Sequence, residues 1–154
     1  MRYYSAHVIP YKVEREIVIA ALVEVVWQML TEPAQMARWF ADEVELDPTP
    51  GGEGQLRFEQ REPVALRVEA VEPMRRFAFR WAGPGSPRPS EPEAMLVEFT
   101  LRDEAGATRL KVVESGFARV DWSDAEKARY AEDHGQGWGM YLGRMRDLHG
   151  ETAP

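Results

Sequence analysis

The chain contains no cysteine, which excludes a disulfide framework, a thiolate metal site and a cysteine nucleophile. That usage fits a reducing compartment and sets the expectation of a cytoplasmic protein. Long apolar runs are missing as well. No stretch approaches the roughly 18 apolar residues of a membrane span, and the opening MRYYSAHVIPYKVERE lacks the apolar centre of a signal peptide. Nor is positive charge in excess. Nineteen Lys and Arg against 26 Asp and Glu leave a net charge of −7, a field that repels phosphate backbones and anionic headgroups. Nucleic acid and membrane insertion are therefore not expected. Histidine is scarce: His7, His134 and His149 lie far apart in neither HxxxH nor HExxH spacing, so no metal site and no cofactor is expected. His134 stands in EDHGQGWG, where it reads as a capping or solvated residue just ahead of a final helix. No serine occupies a GxSxG elbow, and the glycines at 135, 137, 139 and 143 follow no strand and lack the GxGxxG order.

What is present looks globular. Hydrophobic residues make up 44% and charged residues 29% of 154 positions, near the globular averages of roughly 45–50% and 25%, and the length suits one domain over 1–154 with its core at about 13–148. VEREIVIA at 13–20 puts Val13, Arg15, Ile17 and Ile19 on one side of an extended chain, is rich in β-branched residues and reads as a strand. LVEVVWQML and AQMARWF follow with helical spacing, broken at Thr31 to Pro33. PTPGGEG at 48–54 is turn chemistry. Beyond it, Leu56, Phe58 and Gln60, then Val64, Leu66, Val68 and Ala70, then Phe77, Phe79 and Trp81 each oppose charged residues at a period of two. A Pro-rich connection at 83–93 precedes two more strands, with Met95, Val97, Phe99 and Leu101, then Leu110, Val112 and Glu114, on the dry side. Near the end Ser123 or Asp124 can cap a turn, and Trp138, Tyr141, Leu142, Met145 and Leu148 form an apolar helical stripe. An antiparallel sheet with one dry face, covered by that helix, is the α+β architecture these patterns predict.

The order and several local sequences resemble the START-like, or SRPBCC, superfamily with its helix-grip fold. Trp27, Leu30, Thr31, Pro33, Met36, Trp39, Phe40 and Gly51-Gly52 match its opening strand, helix pair and glycine turn. VEFTLRDEAGATRLKVVESGF followed by HGQGWGMYLGRM is similar to the branch named after the activator of heat-shock protein 90 ATPase. The resemblance implies an apolar small molecule or lipid-like ligand held between sheet and helix. It brings no catalytic motif; some members are cyclases, others carriers, and the chaperone activators carry an additional domain. A homodimer or a protein partner stays open.

On that reading Trp39, Phe58, Leu66, Phe79, Trp81, Met95, Val97, Phe99, Leu110 and Val112 from one side, and Trp138, Tyr141, Leu142 and Met145 from the helix, are candidate pocket residues; each is equally ordinary core. Glu114 is the most informative position. Alternation carries its carboxylate onto the dry face, where it needs a partner or a raised pKa. It can be a ligand anchor or a general base, or the strand can end there and leave it paired with an arginine at the rim. Gln60 raises the same question. Gly139 and Gly143 share one side of the helix and are expected to let it approach the sheet or leave ligand volume. The glycine turn at 51–54 and the loop at 83–93 are expected to gate the pocket. Outside, Arg57, Arg61, Arg67, Arg76, Arg80, Arg109 and Lys111 interleave with Glu59, Glu69 and Glu98, as cross-strand ion pairs or as a docking patch for an acidic partner. Three functions are carried forward: a ligand-binding module, a cyclase or lyase using a pocket carboxylate, and a chaperone-associated interaction module.

Overall fold

The computed structural model describes residues 12–59, 61–82, 94–117 and 120–150. His7, Gln60 and the connection at 83–93 lie outside them. Alternation in β1 (Lys12–Ile19) buries Val13 and Ile19 and leaves Lys12, Glu14, Arg15 and Glu16 in solvent. α1 (Val23–Thr31) buries Val26, Met29 and Leu30. The chain then breaks at Glu32 as expected, because Pro33 opens α2 (Pro33–Trp39) at a first-turn position where a missing N–H is harmless. The buried indole of Trp39 donates to the Met29 carbonyl at 2.7 Å and locks the two helices together.

The remaining strands are β2 (Glu43–Leu46), β3 (Glu53–Arg57), β4 (Val64–Glu72), β5 (Arg76–Trp81), β6 (Met95–Glu104) and β7 (Ala107–Ser115). They form one antiparallel seven-stranded sheet in the order β1-β7-β6-β5-β4-β3-β2, so β1 and β2, joined through the helix pair, sit at opposite edges. α3 (Asp124–Gly150) packs against β1 and places Trp138, Leu142 and Met145 in the core with Phe77, Phe79 and Phe99. This is the α+β helix-grip arrangement.

Several expectations change. β2 has no counterpart in the sequence reading. β3 ends at Arg57, so Phe58 leaves the sheet. A bulge at Glu69 shifts the register of β4 and pairs Ala70 with Ala78, carrying Ala70 off the dry face that Val68 shares with Phe79. α3 begins well before the apolar stripe: Ser123 Oγ accepts from Glu126 N–H at 3.1 Å while Glu126 Oε1 accepts from Ser123 N–H at 2.9 Å, a reciprocal cap. His134 is therefore inside the helix, not ahead of it. Gly139 is exposed and Gly143 meets only the far end of Arg146, so neither brings the helix to the sheet; Gly135 does, where an added Cβ would collide with the Arg15 guanidinium. The turn at 51–54 is pinned. Gly51 N–H donates to Val68 and Val68 N–H to Gly52, at 2.9 and 2.8 Å, and a Cβ on Gly52 would strike the Asp47 carbonyl oxygen.

On the outer face Arg57 pairs with Glu43, Arg80 with Glu69, Arg76 with Glu98 and Glu72, Arg109 with Glu104 and Glu16, and Lys111 with Glu14, whereas Arg61 and Glu59, expected on this face, pair with each other in the connection beyond β3. The cross-strand reading thus describes most of this face.

Candidate functional site

Because β7 runs through to Ser115 without a bulge, Glu114 stays in phase with Leu110 and Val112 and is fully buried. It is not at a rim, and among the described residues no arginine meets it. Four donors do. Trp81 Nε1–H from β5 and the Tyr130 hydroxyl from α3 donate to Oε2 at 3.0 and 2.7 Å. His134 Nδ1 and Trp138 Nε1–H, both from α3, approach Oε1 at 2.7 and 2.9 Å. Tyr130, His134 and Trp138 are four residues apart, so three successive turns of one helix point at a single carboxylate.

Burial pushes the Glu114 carboxyl up, but the hydrogen bond and charge of His134, with the Tyr130 and Trp138 donors, outweigh it and hold the group below the usual carboxylate range. Tyr130 moves the other way. Burial first, then the neighbouring Glu114 charge, pushes its phenol far above the usual value, so it remains a neutral donor.

All four donors border a cleft of about 820 Å³, while Glu114 sits behind them without reaching it. Phe40 is the centre of the aromatic wall: its ring stacks on Trp138 at 5.3 Å and on Trp81 at 6.0 Å, and meets Phe58 and Tyr141 edge-on at 5.2 Å each. Val64 and Met140 extend the apolar lining. Asp42, Glu59, Arg61, Glu62, Asp133 and Arg144 supply charge. Burial raises the Tyr141 phenol, with smaller effects of both signs from that charge.

Of the candidate pocket residues, Phe58, Trp81, Trp138 and Tyr141 face this cleft. Trp39, Leu66, Phe79, Met95, Val97, Phe99, Leu110, Val112, Leu142 and Met145 are buried in the core and do not border it. The glycine turn at 51–54 is not part of its lining either, because its backbone is tied to β2 and β4. Sequence reasoning missed Tyr130, Phe40 and Met140 and gave His134 no place in the site. The signal that could have found two of them is the Tyr130-His134-Trp138 spacing, once the helix is allowed to start at Asp124. Among the described residues no group of three or more His, Asp or Glu side chains is placed to hold a metal ion. No helix among them is long and apolar enough to cross a membrane.

The chain is similar to several solved structures. DynU16, from the dynemicin biosynthetic locus, is 28% identical with a TM-score of 0.72; the match covers 90% of this chain but 46% of DynU16, so this chain spans under half of that protein. CalU16 from Micromonospora echinospora is 25% identical with a TM-score of 0.67, over 87% of this chain and 73% of the other. The Aha1 dimer from Colwellia psychrerythraea shares the fold at 17% identity, with a TM-score of 0.72 over 91% and 96% of the two chains. Among curated proteins no sequence matches. The family profile described as activator of Hsp90 ATPase homolog 1-like protein matches residues 20–150, from the end of β1 through α3. On that match and this fold, the chain belongs to the activator of Hsp90 ATPase homolog 1-like family within the START-like superfamily.

Proposed function

We propose that this protein is a small-molecule-binding START-like module whose cleft takes a planar, largely apolar ligand. The observation that carries the reading is the aromatic wall of Phe40, Phe58, Trp81, Trp138 and Tyr141, two of whose indoles are held in place by the buried Glu114. Flat rings offer large contact area at low conformational cost, and burial of apolar ligand surface contributes about 25 cal/mol per Å². Fixed orientation means that little ordering is required on binding. The likeness to DynU16, a protein of a biosynthetic locus, fits a chain that encounters small organic molecules.

The docking-patch reading has less to work with, since most outer-face cations already hold a carboxylate. Arg67 is the exception among the described residues.

Comparison of native with denaturing mass spectra of protein purified under mild conditions tests for a retained molecule. A stoichiometric adduct is expected, and the double variant Phe58→Ala, Tyr141→Ala is expected to lose it. Adduct retention by a folded double variant would contradict the cleft as the binding place.

A further inference from the structure

Glu114 has no oxygen position left to offer a substrate, because two donors occupy each oxygen. An ionised carboxylate brings no hydrogen to the His134 contact. Nδ1 of His134 therefore carries it, in the neutral ring as in the charged one. In the neutral ring Nε2 is then an acceptor. It has no protein partner among the described residues, and the side chain, 32% exposed, borders the cleft. The ring is also fixed in orientation. Tyr130 stacks on it at 3.8 Å and 19°, and Trp81 meets it edge-on at 6.2 Å and 88°.

We propose that His134 is the proton acceptor of the cleft, and that the ligand is a planar aromatic molecule carrying an ionisable hydroxyl whose proton passes to Nε2. The inference rests on the ligand-binding reading and specifies the ligand's chemistry. The ligand O–H bond breaks with its electron pair left on oxygen, and an N–H bond forms at Nε2. The resulting imidazolium lies between the ligand oxyanion and Glu114, which accepts from Nδ1–H throughout. Glu114 is thus a positioning residue: it selects the tautomer and stabilises the charged ring without touching ligand. Among the described residues, Glu114 from β7 and Tyr130 from α3 are the titratable groups in contact with the ring, and Trp81 from β5 adds no charge. Asp133 on α3 and, elsewhere in the cleft, Arg61 and Arg144 against Asp42, Glu59 and Glu62 complete its charged surroundings.

The test uses a nitronaphthol, whose absorbance separates hydroxyl from oxyanion, beside the matched nitronaphthalene, at a pH where free naphthol is mostly protonated. Wild-type protein is expected to bind both and to produce the oxyanion band in proportion to bound naphthol. His134→Gln can still donate to Glu114 but cannot take a proton. Its loss of affinity is expected to be at least tenfold greater for the naphthol than for nitronaphthalene, with no oxyanion band. Wild-type binding of naphthol that stays protonated, or an oxyanion band in the glutamine variant, overturns the proposal while leaving the cleft reading standing. Failure of both probes to bind overturns both. Should the variant not fold, NMR of the nitrogen-labelled wild-type imidazole decides: conversion to imidazolium on adding naphthol is expected, and an unchanged neutral ring refutes the transfer.

Discussion

Glu114 shows how one side chain can be read from sequence while its meaning cannot. Alternation along β7 placed it on the dry face, yet its partners come from β5 and from α3, far apart in the chain, and nothing local announces them. A glutamine at this position has a single acceptor oxygen, so about half of the four donors would lose a partner, at roughly 1–3 kcal/mol each. Glu114→Gln is expected to destabilise the fold by about 3 kcal/mol or more, read from denaturant midpoints. The pH dependence has a definite sign. With the folded carboxyl held below 4.5, its stabilisation is present above that value and is lost as pH falls through the lower folded value. Wild-type stability should therefore decline on acidification below 4.5. A smaller acid decline at that limb is expected for Glu114→Gln.

At the level of elements, legibility followed amphipathicity. β1, β4 to β7 and the helix pair have alternation or helical spacing, and all were legible. β2 was not: four residues, EVEL, two of them acidic, offer too little pattern to distinguish a strand from a turn. The N-terminal half of α3, DAEKARYAEDHG, lacks the stripe that follows it, because that half covers the sheet edge with Tyr130 and His134 in place of aliphatic residues. With His134 read from sequence as lying just ahead of the helix and Tyr130 given no role, the site is not assembled from sequence. Gly139 has open space around it on the solvent side of α3. Gly139→Ala is therefore expected to stabilise the protein by about 0.5–1 kcal/mol, a gain of roughly 2–4 °C in Tm, without altering ligand binding. Calorimetry reads this directly, and a loss of stability would mean that the glycine has a packing role.

Across the whole molecule, the core and the charged face contribute unequally. The outer ion pairs are largely solvent-exposed, and such pairs are worth about 0–1 kcal/mol each. Arg80→Ala is expected to cost less than about 1 kcal/mol in urea unfolding; a much larger loss would show that the Arg80–Glu69 pair acts as part of a network. The strand order has a different kind of consequence, for the chain as it is made. Among the described residues β1 pairs only with β7, which is translated some 90 residues later, a wait of about 5–20 s at ribosomal speeds of roughly 5–20 residues per second. During that interval Val13, Ile17 and Ile19 have no sheet to join, and the charges at Lys12, Glu14, Arg15 and Glu16 are what discourage the nascent strand from pairing with a neighbour.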